Sequence, residues 1–170
     1  KTVFTGSGVA IVTPMHQDGT VNFEELGRVL EFQIENGTDA IISCGTTGES
    51  ATLDNQEHCD VLSYTIKKVN GRVPVVAGTG SNDTRYAVEL SRHAQEAGAD
   101  ALLMVTPYYN KTSQTGLINH YHYVADRVDV PIILYNVPSR TGCNIQPTTY
   151  VELAKHPNIV ATKEASGDIS

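Results

Sequence analysis

Short apolar runs recur along the chain at near-constant intervals. They are Gly8–Thr13, Ala40–Cys44, Val73–Ala77, Ala101–Thr106, Pro131–Asn136 and Ile159–Lys163. Their starts lie roughly 30 residues apart, the length of one βα unit. Between them the apolar positions change to helical spacing. Phe23, Leu26, Val29, Leu30 and Ile34 make one such face, and Val61, Leu62, Ile66 and Val69 a second. Ala87, Val88, Leu90, Ala94 and Ala97 make a third, and Leu117, Ile118, Tyr121, Val124 and Ala125 a fourth. Val151, Leu153 and Ala154 mark a shorter fifth. The segments starting at Asn22, Asp54 and Ser81 carry cap signals, and Gly37, Gly71 and Gly98 sit where helices should stop.

Strict βα alternation predicts an α/β fold with a parallel sheet covered by helices. Two architectures compete. A doubly wound dinucleotide fold wants Gly-x-Gly-x-x-Gly after its first strand. Here Thr13-Pro14-Met15 follows that strand, and Gly78-Thr79-Gly80 after the third run lacks the last glycine. A (β/α)8 (TIM) barrel places its active site at the C-terminal ends of the strands. Those ends carry Thr13, Thr46-Thr47, Thr79, Thr106 with Tyr108-Tyr109, Tyr135-Asn136 and Lys163. We therefore expect a TIM barrel, of which residues 1–170 form the N-terminal part of a single domain. They cover about the first six βα units and lack the last strands and C-terminal helices. An incomplete barrel should expose its edge strands and inner face.

Lys163 is the sharpest chemical signal. It sits in Ile159-Val160-Ala161-Thr162-Lys163, which reads as a buried strand. A buried ammonium is costly, desolvation lowers a lysine's pKa, and a neutral amine attacks carbonyls. A lysine at a strand end can equally snorkel to water. Tyr135 suits a proton donor and acceptor beside an amine, although tyrosines at such positions are commonly core residues with a wet hydroxyl. Gly45-Thr46-Thr47-Gly48-Glu49-Ser50 can offer amides and hydroxyls to a carboxylate, or simply be a capped turn. Arg140 is placed to bind a carboxylate or to form a surface ion pair.

Composition narrows the classes. The net charge of −7 argues against nucleic acid or an anionic membrane as the partner. No apolar run approaches the ~20 residues of a membrane span. Three cysteines without paired spacing, Cys44, Cys59 and Cys143, point to reduced thiols and a cytoplasmic setting. The metal reading fails: His120 and His122 lie two apart on a helix, and His58-Cys59 has no partner at ligand spacing. His16, His93 and His156 read as surface residues.

Gly45-Thr-Thr-Gly-Glu-Ser50, Val105-Thr-Pro-Tyr-Tyr-Asn110, Tyr135-Asn-Val-Pro-Ser-Arg-Thr-Gly142 and Lys163-Glu-Ala165 occur in that order. Together they resemble the dihydrodipicolinate synthases of the pyruvate-dependent class I aldolase family, which includes N-acetylneuraminate lyase. The resemblance runs along the whole chain. It implies a lyase that condenses pyruvate with L-aspartate 4-semialdehyde, in lysine biosynthesis by the diaminopimelate route. Lys163 would form the imine with pyruvate, and Tyr135 would shuttle its protons. Thr46 would link Tyr135 to a Tyr109 from a neighbouring subunit. Thr47 would hold the pyruvate carboxylate, and Arg140 that of the semialdehyde. No cofactor or metal would be needed, and the protein would be a cytoplasmic homotetramer, a dimer of dimers.

The same resemblance implies an allosteric lysine site at Ser50, Ala51, Asn55, His58, Asn82, Tyr86 and Tyr108. Asn55 and Tyr86 depart from the lysine-sensitive pattern, which has histidine and glutamate there, so feedback should be weak or absent. Relatives that cleave sugar acids, such as N-acetylneuraminate or 2-keto-3-deoxy acids, are the alternative reading. They would have no need of a carboxylate clamp at Arg140. An inactive barrel fragment is the third.

Overall fold

A computed structural model describes residues 2–168. Six strands form one all-parallel sheet: β1 (Gly8–Ala10), β2 (Ala40–Ser43), β3 (Val75–Gly78), β4 (Ala101–Val105), β5 (Ile132–Asn136) and β6 (Ile159–Glu164). Their spatial order is β1-β2-β3-β4-β5-β6, with every neighbour parallel. This decides between the two architectures. A doubly wound sheet reverses its strand order at a switch point, whereas a barrel adds each strand beside the last.

The placement of the helices agrees. Alternate strand residues face opposite sides of a sheet. Val75, Ala77, Leu102, Met104, Ile132 and Leu134 belong to one apolar core, together with the buried residues of the helices. The intervening Val76, Leu103, Ile133 and Tyr135 form a second, smaller cluster that no helix covers. Helices on one face only, with a separate inner face, are the arrangement of a barrel wall.

The expected helices are α1 (Phe23–Glu35), α2 (Asn55–Val69), α3 (Thr84–Ala97), α4 (Gln114–Ala125) and a short α6 (Pro147–Leu153). Each of the first four has its N-cap. Asn22 accepts from the Glu25 amide, and Asp54 forms a reciprocal capping box with Glu57. Asp83 caps α3, and Ser113 accepts from the Gly116 amide. Two short turns lie outside the sequence pattern. They are α5 (Pro138–Thr141) and a 3₁₀ turn at Ser50–Thr52, both too short to show a period. Gly78 and Gly80, set aside as a nucleotide motif, have a packing role. A Cβ on Gly78 would lie 2.1 Å from the Cys44 carbonyl oxygen, and one on Gly80 2.4 Å from the Val105 amide. Only glycine allows these backbones so close.

Two histidines differ from their surface reading. His93 Nε2 lies 2.9 Å from Ser63 Oγ and 3.1 Å from the Cys59 carbonyl, tying α3 to α2. His156 is half-buried, 3.2 Å from Asp126 and in ring contact with His122. Polar pairing between helices lets both rings leave the water. Among the described residues, no helix is long and apolar enough to cross a membrane.

Candidate active site

β5 and β6 bring the first two candidates together. Tyr135 and Lys163 are direct partners in the parallel register. The Lys163 ammonium lies over the Tyr135 ring, 4.4 Å from its centroid, where the negative face of the ring attracts a cation. Tyr135 is buried, and its carbonyl accepts from the Thr106 amide at 3.2 Å, so β4 fixes it from the other side.

Lys163 itself is exposed, contrary to the expectation of a buried strand. Ile159 is the one buried residue of β6, and the strand opens to solvent from Ala161 to Glu164. The reason is its place in the sheet. β6 is an edge strand with β5 on one side, so an apolar sequence does not become a dry environment. The cavity beside Lys163, about 450 Å³, is lined by Phe4, Ile42, Val76, Leu103 and Ile133 of the inner face.

The turn after β2 is held from below. Thr13 Oγ1 donates to the Gly48 carbonyl at 2.7 Å, so Thr13 supports this turn rather than facing a ligand. The Gly48 and Glu49 amides close the turn onto Gly45 and Thr46. The Thr46 and Thr47 amides have no acceptor among the described residues, and both threonines are exposed. Free, adjacent amides and hydroxyls are a carboxylate-binding arrangement. Thr79 is also structural, accepting from Ser91 Oγ at 2.9 Å inside the core.

The loop after β4 is strained. Tyr109 and Lys111 both adopt left-handed backbone, at φ 67° and 56°. Tyr109 is 90% exposed. Such strain in non-glycine residues clusters at functional sites, and an aromatic so exposed suits a surface that meets another chain. A cavity of about 600 Å³ joins Thr46, Tyr109, Lys111 and Arg140. Arg140 stands on α5 with no carboxylate partner among the described residues. Lys163, Tyr135 and Thr47 are not part of this cavity's wall, and among the described residues no hydrogen bond joins Thr46 to Tyr135 or Tyr109.

The same cavity includes Ser50, Ala51, His58, Tyr86 and Tyr108. Asn82 lines an adjoining groove with Tyr86 and Tyr108, while Asn55 opens α2 and lines neither. His58 is buried, its Nε2 2.8 Å from the Gly78 carbonyl, and burial pushes its pKa down. It is a neutral anchor between α2 and β3. Burial also raises the Tyr86 phenol. The thiols are poor nucleophiles: burial pushes Cys44 up to about 12 and raises Cys59 and Cys143.

Lys111 and Glu164 are the site residues that pattern reading passed over. Lys111 runs beside Gly142, where a Cβ would lie 2.6 Å from its Cε. Glu164 directly follows Lys163, and its alternation to the opposite strand face was the available signal.

The profile of the Dihydrodipicolinate synthetase family matches residues 3–170. The 4-hydroxy-tetrahydrodipicolinate synthase of Thermoanaerobacter sp. (strain X514) is 61% identical over 168 residues, covering 98% of this chain and 56% of the relative. A chloride-inhibited dihydrodipicolinate synthase from Acinetobacter baumannii, solved with pyruvate, is 51% identical with a TM-score of 0.96. That match covers 99% of this chain and 57% of the other. The dihydrodipicolinate synthase of Cyanidioschyzon merolae, solved with lysine bound, is 42% identical with a TM-score of 0.96, over 99% and 58% of the two chains. The chain thus spans little more than half the length of the relatives it matches. Its fold is about six βα units of their barrel.

Proposed function

The chain belongs to the dihydrodipicolinate synthetase family, and from that premise we propose that it carries most of the catalytic set of a 4-hydroxy-tetrahydrodipicolinate synthase. The reaction condenses pyruvate with L-aspartate 4-semialdehyde. The observation that carries the reading is Lys163 set opposite Tyr135, with the ammonium over the phenol ring. The pyruvate held by the Acinetobacter baumannii relative supports the choice of keto acid.

In this reading the Lys163 amine attacks the pyruvate carbonyl, and loss of water leaves an imine. Removal of a methyl proton gives the enamine, which attacks the aldehyde carbon. Tyr135 moves protons at the imine, and Thr46 connects it to Tyr109 of a second subunit. The exposed Tyr109 supports that crossing. Thr47 and its free amide hold the pyruvate carboxylate, and Arg140 holds that of the semialdehyde. The lysine is the electron sink, so no metal or organic cofactor enters. Residues 1–170 are then the N-terminal part of a single barrel domain whose later strands cover β6 and dry the Lys163 site. The assembly is a cytoplasmic homotetramer in the diaminopimelate route to lysine. Lysine inhibition is weak, because Tyr86 brings no carboxylate to pair with the ligand's ammonium.

Arg140 separates this reading from a sugar-acid lyase. A condensation assay on the complete barrel, pyruvate with either the semialdehyde or an amino sugar, is the test. The semialdehyde should be preferred, and Arg140→Ala should lower its kcat/KM by about ten- to a hundredfold, the worth of a charged hydrogen bond. Preference for the sugar, untouched by Arg140→Ala, would give the lyase instead.

A further inference from the structure

The end of β6 is tied down by one side chain. Glu164 accepts from Asn136 Nδ2 at 3.1 Å to both carboxylate oxygens, from the Tyr150 hydroxyl at 2.9 Å and from the Ser166 amide at 2.8 Å. Those donors sit on β5, on α6 and in the loop after β6. Asn136 is buried and continues the link. Its Nδ2 donates to Asn144 Oδ1 at 2.8 Å, its Oδ1 accepts from the Ile145 amide at 3.1 Å, and its carbonyl accepts from the Ala165 amide at 2.9 Å. The segment leaving β5 therefore returns to Asn136 and closes a loop, and Arg140 stands inside that loop.

We propose that Glu164 is the positioning residue that holds Lys163 opposite Tyr135 and locks the loop carrying Arg140 to the nucleophile's strand; this rests on the imine reading above. Successive strand residues face opposite sides, so Glu164 reaches α6 while Lys163 turns to the Tyr135 ring. Glu164 joins the end of β6 to β5, to α6 and to the loop that follows. That tie acts on the residue next to the nucleophile. Burial disfavours the Glu164 carboxylate, but the hydrogen bonds from Asn136, Ser166 and Tyr150 outweigh it and keep the group ionised below the ordinary range. One carboxylate thus spaces the amine and the guanidinium that must act on two ends of one reaction. A misplacement of about 1 Å can cost on the order of a hundredfold in rate.

The test combines two readouts on this chain. The first is the rate of borohydride-trapped pyruvate addition at Lys163 as pyruvate is varied. The second is hydrogen exchange at the Ile145 and Ala165 amides. Glu164→Ala should lower the maximal trapping rate at least about tenfold, with half-saturating pyruvate changed less than about twofold. Glu164→Gln, which keeps one acceptor oxygen, should recover most of that rate. Ile145 exchange should quicken in Glu164→Ala while β2–β4 stay protected. General loosening would instead expose β2–β4 and reduce the fraction of chains that react. A trapping rate in Glu164→Ala equal to that of the unsubstituted chain, or an unchanged Ile145 amide, overturns the proposal. If the unsubstituted chain takes no adduct, trapping is repeated on the complete barrel, where a missing adduct ends the imine reading; Ile145 exchange then decides the lock, quickened exchange supporting it and unchanged exchange overturning it.

Discussion

β4 and β6 are parallel strands of one sheet, yet they live in different solvents. β4, Ala101–Val105, is buried over its first four residues, with helices on one side of the sheet and the inner cluster on the other. β6, Ile159–Glu164, is buried at Ile159 alone. Both begin as apolar runs. The difference is the number of strand neighbours: β4 lies between β3 and β5, and β6 has β5 only. Burial is therefore a property of position in the sheet. A lysine becomes a desolvated amine only when its strand is covered.

The largest test of this contrast is a pair of truncations. Leu102→Ala on β4 empties a fully buried site and should cost about 2–5 kcal/mol in denaturant unfolding. Val160→Ala on half-buried β6 should cost less than about 1 kcal/mol. Equal costs would break the contrast between centre and edge.

Acid should separate the two regions next. Burial pushes the His120 imidazole, between α4 and α3, down from 6.5 to about 4. The unfolded chain then binds the extra proton first, so stability present above pH 6.5 is lost as pH falls towards 4. His120→Gln should flatten that stretch of a stability–pH curve. Glu164 also has a lowered pKa, so its contribution is present above the ordinary carboxylate value of 4.5 and is lost as pH falls from there through its own lower value. A curve that is flat from pH 6.5 to 4 in the unsubstituted chain would contradict this order.

The smallest effect is at the helix layer. Asp54→Ala removes the side-chain half of the α2 capping box, leaving the bond from the residue 54 amide to Glu57, and should cost about 1 kcal/mol by thermal unfolding. A neutral result would mean that Glu57 alone satisfies the helix end.

The barrel wall was legible from residues because its causes are local. Apolar runs of strand length, helical spacing between them, and caps at Asn22 and Asp54 all act over a few residues. The polar strand ends were legible too, but only as a set. Thr13 and Thr79 proved to be internal ties, while Thr46 and Arg140 share a cavity. What the pattern did not reveal depends on distant chain. Among the described residues Lys163 is exposed because β6 has β5 on one side only, and Thr46 and Tyr109 line one cavity without a hydrogen bond between them. The ties of Glu164 to Asn136 and Tyr150 join residues 28 and 14 positions apart, which no periodicity encodes.

The central claim is that Lys163 is the carbon-bonding amine. Incubation with pyruvate and sodium borohydride, followed by peptide mass spectrometry, reads it most directly, because reduction makes an imine permanent. The account predicts a single pyruvyl adduct, on Lys163, once the barrel is complete. A complete, folded barrel with no adduct, or with label spread evenly over Lys67, Lys68, Lys111 and Lys155, would contradict it.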